Sequence, residues 1–276
     1  MSILSKFNNL TQRIITGIIG VVILISGIYW DEWTYFLLFL TLCIFTQREF
    51  YKLVGIDGQI PLKTFGTFCG AVLFTLIFLI EKGSIDSKYL FAIFPLLSVS
   101  YLVKLYKKDE KKPFTNLAFT FMGIVYIAVP ISLINVIAFS QGGKYEWQMI
   151  VGLLLLLWAS DTGAYFAGVN FGKRKLFERV SPKKSWEGFF GGALLSLGIA
   201  CLISLYFTNL ALWEWLCLSV ITIIAGTYGD LVESLFKRSI SIKDSASSIP
   251  GHGGFLDRFD GLLLATPFIV AFLKLL

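Results

Sequence analysis

The sequence predicts an all-α polytopic integral membrane protein, a helical bundle with about nine transmembrane helices. Hydrophobic residues make up 56% of the 276 residues and charged residues 15%, which is too apolar for a soluble domain of this length. Apolar runs such as "VGLLLLLWA" are unbroken rather than alternating. Unbroken runs favour membrane helices over the strands of a membrane barrel.

The helices are predicted from the length of the apolar segments. A helix needs about 20 mostly apolar residues to cross a hydrocarbon core of roughly 30 Å. Nine segments approach this length, at residues 14–30, 33–53, 62–80, 88–105, 115–139, 148–168, 189–207, 211–233 and 258–275.

The distribution of positive charge predicts the orientation. With nine spans and a cytoplasmic N-terminus, the outer side receives four of the 24 lysines and arginines, namely Lys82, Lys88, Lys144 and Lys274. Cytoplasmic loops are normally the ones enriched in lysine and arginine. We therefore expect a multi-pass protein of the inner (plasma) membrane with its C-terminus outside. The net charge of +6 follows from the same bias, so we expect membrane lipids, and no nucleic acid, as partners.

Two parts of the chain differ in character. Residues 1–147 hold the first five predicted helices and are interpreted as a packing scaffold. Their charged loop "KLYKKDEKKPF", residues 104–114, is expected to be solvated and to face lipid headgroups. Residues 148–276 hold helices six to nine, and here ionisable residues occur at membrane depth. We expect this part, with its cytoplasmic loops, to be the catalytic half.

The sixth predicted helix contains an acid within the membrane. Asp161, in "LLLLLWASDTGAYFAG", lies roughly two-thirds of the way to the cytoplasmic face. Ionisable residues in membrane helices are costly and are therefore candidates for function. The alternative is an acid that is hydrogen-bonded to Ser160, Thr162 or a tyrosine for packing alone.

The loop that follows, "GKRKLFERVSPKKSWEGFFGG", carries six basic residues. Arg174, Lys175 and Arg179 are interpreted as a surface patch that contacts lipid phosphates. Lys183 and Lys184 differ, because their Ser-Pro-Lys-Lys-Ser sequence predicts a turn beside the apolar Phe189. We expect these two lysines to bind a phosphate.

The end of the eighth helix presents a polar stripe. Asp230, Glu233, Ser234 and Lys237 are spaced i, i+3, i+4 and i+7, so they share one helical face as the chain leaves the membrane.

The last helix is predicted to begin before Gly261. The sixteen residues from 261 to 276 would make about 24 Å of helix, less than the membrane core. An earlier start brings Asp257, Arg258 and Asp260 to the level of Asp230. Carboxylates without thiolates suit a hard cation such as Mg²⁺, which also binds phosphate oxygens. The preceding "PGHGG" is either a site where main-chain amides approach an anion or an ordinary tight loop.

The stretch from Ser234 to Asp260, "SLFKRSISIKDSASSIPGHGGFLDRFD", resembles the signature of the phosphatidate cytidylyltransferase family. Its fixed positions are Ser-x-x-Lys-Arg, then Lys-Asp, then Pro-x-His-Gly-Gly-x-x-Asp-Arg-x-Asp. The stretches "SDTGAYFAG" and "SPKKSWEGFFGG" also resemble blocks of that family.

The resemblance implies a transfer of CMP from CTP to phosphatidic acid that requires Mg²⁺. It implies metal ligation by Asp230, Asp257 and Asp260, and neutralisation of phosphate charge by Lys237, Arg238, Lys243 and Arg258. The catalytic residues expected are Asp230, Lys237, Arg238, Asp257, Arg258 and Asp260. The substrate-binding residues expected are Asp161, Lys183, Lys184, Ser234, Lys243, Asp244, His252, Gly253 and Gly254.

Several alternatives remain open at this point. A CTP-dependent lipid kinase would use similar substrates but transfer the γ-phosphate. A cation-coupled transporter would use Asp161 and Asp230 as a relay, although the ionisable residues gather at one membrane face. A second divalent or monovalent cation and a homodimer are also left open. So is the alternative that Asp230, Asp257 and Asp260 form structural ion pairs with Lys237 and Arg258 instead of binding a cation.

Overall fold

A computed structural model of the chain describes residues 9–108, 110–242 and 253–276, which are almost entirely helical. The helices are α1 (Asn9–Trp30), α2 (Glu32–Ile56), α3 (Lys63–Glu81), α4 (Ile93–Leu105), α5 (Pro113–Gly123), α6 (Val129–Ala138), α7 (Trp147–Phe171), α8 (Trp186–Tyr206), α9 (Leu212–Ser239) and α10 (Leu256–Leu275). Two short strands, β1 (Lys175–Phe177) and β2 (Ser181–Ser185), form an antiparallel hairpin. The predicted all-α bundle is confirmed.

Two of the helical rods are composite. A 3₁₀ segment, Ser87–Ala92, leads directly into α4. A π-helical segment, Ile124–Ala128, joins α5 to α6 and makes one rod of them. Pro130, at the start of α6, has no N–H and its ring displaces the carbonyl one turn earlier, which accounts for the widened turn at this point.

Each of the nine predicted segments coincides with one of these rods. In the described part of the chain, six are long and apolar enough to cross a membrane, and the apolar stretch Ile15–Trp30 is shorter. They are Lys63–Glu81, Ser87–Leu105, Pro113–Ala138, Trp147–Phe171, Trp186–Tyr206 and Leu212–Ser239. The chain is therefore a multi-pass membrane protein. The count of nine spans and their orientation stay predictions.

The two parts of the chain pack against each other. In the second part, α7 packs along α8 and α9 packs along α10, while α10 also contacts α6 of the first part. Helix α2 is fixed to its neighbours by buried hydrogen bonds: Gln47 Nε2 donates to Gly66 O at 2.9 Å and the Tyr51 hydroxyl donates to Thr120 O at 2.7 Å. These bonds join α2 to α3 and α5, and α2 also contacts α10.

The prediction of a wholly solvated loop at 104–114 is wrong for two of its residues. The side chains of Lys104 and Glu110 are 3% and 6% exposed and form an ion pair, and Lys104 Nζ also donates to Ile60 O at 2.9 Å. Burial alone would raise the pKa of Glu110, but hydrogen bonds from Lys104 and Asn116 bring this pKa below its ordinary value. The paired charges fold this loop back onto the protein.

The predicted turn at Ser181–Ser185 is also wrong, because this segment forms strand β2. It pairs with β1 in a register that places Lys175 opposite Ser185 and Phe177 opposite Ser181. The strand ends at Ser185, whose hydroxyl accepts a hydrogen bond from Gly188 N at 3.1 Å and caps α8. A hairpin therefore carries Lys183 and Lys184 to the site.

The charge distribution predicts an outer C-terminus. A reporter enzyme that works only in the cytoplasm should be inactive when it is fused after Leu276. The same reporter fused after Lys108, in a chain truncated there, should be active. A cytoplasmic signal from the Leu276 fusion would rule out nine spans with this orientation.

Candidate active site

The site is built where α9 and α10 approach each other at a glycine. A Cβ atom on Gly229 would lie 2.5 Å from the main-chain oxygen of Asp260 and 2.9 Å from Gly261 Cα. Both distances are too short for a real carbon atom, so this approach of two backbones requires glycine. Asp230, the next residue on α9, is thereby brought beside Asp260.

Three carboxylates gather at this contact: Asp230, Glu233 and Asp260, which we call the acid cluster. Each offers an oxygen within 4.8 Å of the other two. Glu233 is 1% exposed, whereas the two aspartates are half-buried. Asp260 Oδ1 accepts a hydrogen bond from Gly261 N at 2.7 Å.

Two lysines neutralise part of this negative charge. Lys184 Nζ lies 2.6 Å from Asp230 Oδ2 and donates to Thr227 O at 3.1 Å. Lys237 Nζ lies 2.6 Å from Glu233 Oε2 and 3.0 Å from Asp257 Oδ1. Charge-assisted contacts of this length are among the stronger polar interactions in proteins, so the lysines and acids fix one another.

The acid cluster fits a hard cation. Carboxylates at this separation repel one another when ionised, and a bound cation would relieve the repulsion. The carboxylate oxygens of the acid cluster lie within 4.8 Å of one another. This separation is close to the roughly 4 Å between opposite ligands of an octahedral Mg²⁺ ion. Oxygen donors without thiolate or imidazole favour Mg²⁺ or a similar hard ion.

Asp257 lies next to the acid cluster but is held differently. Its Oδ1 contacts Lys237, as described above, and its Oδ2 accepts a hydrogen bond from Gly254 N at 3.2 Å. Asp257 therefore fixes the turn that leads into α10 while Lys237 joins it to Glu233. Its role as a direct metal ligand stays a prediction.

The acid cluster lies in the wall of a cavity of about 1000 Å³. One part of this wall is polar and includes Asp161, Lys183, Lys184, Asp257 and Arg258 in addition to the acid cluster. The other part is apolar and is formed by α1, α2 and α7, with Ile19, Ile23, Leu38, Leu42, Leu154 and Trp158. One cavity thus offers charged and hydrocarbon-like surfaces side by side.

The remaining predicted residues are placed as follows. Asp161, Lys183 and Arg258 have exposed side chains that line the cavity. Ser234 Oγ donates to Asp230 Oδ1 at 3.3 Å. Arg238 donates instead to Ile242 O at 3.1 Å, on an exposed part of α9.

The glycine-rich turn is described in part. Gly253 has φ of +85°, a left-handed conformation that favours glycine, and Gly254 is buried. The predicted site residues Lys243, Asp244 and His252 lie outside the described residues.

Sequence reasoning did not assign three residues that the structure brings to the site. Helical spacing places Glu233 on the polar stripe but does not indicate that it belongs to an acid cluster. Tyr126, on the π-helical segment, has a buried hydroxyl without a hydrogen-bond partner among the described residues, and it interacts electrostatically with Asp260 and Glu233. Glu49, on α2, accepts a hydrogen bond from Phe255 N at 2.9 Å. The sequence signal for Tyr126 and Glu49 is weak, since both lie far along the chain from the motifs.

The fold and the site define a class: a polytopic membrane protein with acids, lysines and an apolar wall in one cavity. A sequence model of the cytidylyltransferase family matches residues 11–276 of this chain. The chain therefore belongs to the cytidylyltransferase family and is a nucleotidyltransferase.

Individual relatives agree over most of the chain. A phosphatidate cytidylyltransferase of Haemophilus influenzae is 32% identical over 95% of this chain and 98% of that protein. One of Staphylococcus saprophyticus is 31% identical over 93% of this chain and 96% of that protein. One of Staphylococcus aureus is 38% identical over 63% of this chain and 66% of that protein. The family resemblance of the sequence motifs is confirmed.

The close approach at Gly229 makes a specific prediction. Gly229→Ala should lower the turnover of cytidylyl transfer by about 10²-fold, because α9 and α10 must separate to accept the new methyl group and a displacement of about 1 Å is that costly. Gly198→Ala is the control, since a Cβ atom there has no neighbour within 4 Å. Turnover of purified Gly229→Ala within twofold of the control would show that this contact does not position the site.

Proposed function

We propose that the protein transfers CMP from CTP to phosphatidic acid, giving CDP-diacylglycerol and pyrophosphate for phospholipid synthesis. The observation that carries this proposal is the cavity in which the acid cluster and an apolar wall stand side by side. Membership of the cytidylyltransferase family and the names of the relatives support the same reaction.

The cavity suits an amphiphilic substrate. Apolar residues of α1 and α2, such as Ile23 and Leu42, supply a surface on which acyl chains lose contact with water. Lys183 and Arg258 present positive charge in the polar part. A phospholipid with a phosphate headgroup matches both surfaces, whereas a small soluble acceptor would leave the apolar wall uncovered.

The reaction needs no strong base. An oxygen of the ionised phosphate of phosphatidic acid attacks the α-phosphorus of CTP. The bond between this phosphorus and the oxygen that bridges to the β-phosphate breaks, and pyrophosphate leaves with that electron pair. The enzyme must hold two anionic substrates in line and neutralise their charge.

Different residues would hold the substrates and neutralise their charge. Lys183 and Arg258, which line the cavity, would bind and orient substrate phosphates. Lys184 and Lys237 are held by carboxylates, so they fix the acids and add positive potential. Asp161, which lies on α7 in the same wall, would contact a further substrate group.

The carboxylates of Asp230, Glu233 and Asp260 would hold Mg²⁺, with Asp257 adjacent to them. A cation bound there supplies positive charge for the triphosphate and for the pyrophosphate leaving group. We further propose that the site faces the cytoplasm across the inner membrane, where the nucleotide is present and where the positive-inside rule places the basic loops.

Label transfer tests the reaction directly. Purified protein with phosphatidic acid and Mg²⁺ should move radioactivity into lipid from CTP labelled in the α-phosphate, and not from CTP labelled in the γ-phosphate. Lipid labelled from the γ position alone would establish a lipid kinase. An absence of lipid label from both nucleotides, in protein that is folded, would contradict the proposed transfer and favour the transporter.

The acid cluster makes a second prediction. Asp230→Asn and Asp260→Asn keep the shape of the side chain but remove charge that a hard cation requires, so turnover should fall by about two orders of magnitude or more. Yield and Tm of Asp260→Asn should remain close to wild type. Asp230→Asn should lower Tm only slightly, because Lys184 keeps its hydrogen bond to Thr227 O. Glu178→Gln, at an exposed carboxylate of the hairpin turn, is the control and should keep full activity.

Glu233 and Asp257 distinguish metal binding from ion pairing. If they serve mainly as partners of Lys237, Glu233→Gln and Asp257→Asn leave a poorly solvated ammonium and should lower Tm. If they ligate the cation, the Mg²⁺ concentration for half-maximal turnover should rise instead.

A well-folded Asp260→Asn variant with wild-type turnover across the Mg²⁺ titration would remove Asp260 from the cation site.

A further inference from the structure

Glu49 connects the first part of the chain to the active site. It lies in the last third of α2 and is 5% exposed. A carboxylate this deeply buried is costly unless specific contacts compensate it. Its contacts therefore indicate what the residue does.

These contacts are made with the turn that precedes α10. Glu49 Oε2 accepts a hydrogen bond from Phe255 N at 2.9 Å, across 206 positions of sequence. Glu49 Oε1 lies against Gly254, where an added Cβ atom would come within 1.7 Å of it. The carboxylate thus occupies the space that any side chain at position 254 would need.

An aromatic contact reinforces the same connection. Phe45, one turn before Glu49 on α2, stacks on Phe255 with ring centroids 5.5 Å apart and an interplanar angle of 11°. Both rings line the cavity. Helix α2 therefore holds Phe255 by its main chain and by its ring.

The turn is held from its other side by the site itself. Asp257 Oδ2 accepts a hydrogen bond from Gly254 N, and Asp257 Oδ1 contacts Lys237. Gly254 and Phe255 are consequently fixed between Glu49 of α2 and Asp257 of α10. Phe255 immediately precedes α10, and its own side chain caps no N–H of that helix.

The charge of Glu49 suits this place. The first N–H groups of a helix have no partner within the helix, and the helix dipole favours a negative group near them. Asp257, Arg258 and Asp260 all lie in the first turns of α10. The start of this helix therefore sets where three predicted site residues stand.

We propose that Glu49 is a positioning residue for the transfer reaction: through the Phe255 amide it fixes the start of α10 and thereby places Asp257 and Asp260 for the cation. This inference rests on the proposed function. Glu49 acts through the main chain of the turn, so its hydrogen-bond acceptor, rather than its charge, is the essential feature.

Three substitutions separate these features. Glu49→Ala removes the acceptor, Glu49→Asp withdraws it by one methylene, and Glu49→Gln keeps an acceptor of the same reach. Glu32→Ala is the matched control, because it removes a carboxylate from the other end of α2, where Glu32 pairs with Lys82. For each full-length protein we would measure kcat and KM for CTP, Mn²⁺ affinity by electron paramagnetic resonance, and Tm.

We expect the effects of the three substitutions to be graded. Glu49→Ala and Glu49→Asp should lower kcat and weaken Mn²⁺ binding by about 10- to 100-fold, as loss of a supporting contact does at other metal sites. Glu49→Gln should stay within about fivefold of wild type, since a neutral hydrogen bond replaces a charge-assisted one. Glu32→Ala should match wild type in kcat and Mn²⁺ affinity.

Other results would overturn the inference. Wild-type kcat and Mn²⁺ affinity in folded Glu49→Asp would show that the contact does not position the site. A lower Tm with unchanged Mn²⁺ affinity in the folded fraction would show a structural role alone. If Glu49→Ala does not fold, the Asp and Gln variants decide, and equal damage in both would contradict the role of the acceptor.

The Mn²⁺ measurement needs no turnover. If the wild-type protein transferred no label from CTP to phosphatidic acid, the proposed function would fail. The effect of Glu49 on the cation site would still be decided by the binding data.

Discussion

The close contact of α9 and α10 at Gly229 is the constraint on which the site depends. Main-chain atoms of the two helices meet there without an intervening side chain. Because side chains project from fixed positions along a helix, this contact determines that Asp230, Glu233 and Asp260 face one another. The same contact raises the local density of negative charge, which the rest of the site must then accommodate.

The surrounding structure accommodates this charge with long side chains from other elements. Lys184 lies on the β-hairpin and Lys237 lies one turn beyond Glu233, and among the described residues they contact Asp230, Glu233 and Asp257. Asp260 accepts a main-chain N–H instead. Helix α2 adds a contact from outside the motif-bearing half, through Glu49 and Phe45. The first part of the chain therefore supports the site as well as the bundle.

Sequence patterns predict much of this arrangement, and there are physical reasons why they do not predict the rest. Apolar length predicts all nine helical rods of the described residues, and the shortness of the segment after Gly261 correctly requires α10 to begin earlier. Helical periodicity predicted the face shared by Asp230 and Glu233. Periodicity does not specify which rotamer a side chain adopts, so the sequence leaves open whether Asp257 ligates a cation or pairs with Lys237, and the structure shows the pair.

Sequence patterns do not predict contacts between segments that lie far apart in the chain. The bond from Phe255 to Glu49 joins residues 206 positions apart, and neither local propensity nor a motif indicates it. The sequence predicts a turn where strand β2, Ser181–Ser185, is found, because strands of three and five residues are too short to show alternation. The buried pair of Lys104 and Glu110 was mistaken for solvated charge, since composition does not reveal which charges find partners.

The central claim is that the acid cluster formed at this helix contact is the cation site of the enzyme. Crystals grown with Mn²⁺ in place of Mg²⁺ test it most directly, because anomalous scattering locates the ion without reference to activity. We expect a peak within about 2.2 Å of oxygens from Asp230, Glu233 and Asp260, a distance typical of small hard cations. A fully occupied peak elsewhere in the cavity, with none at these carboxylates, would contradict it.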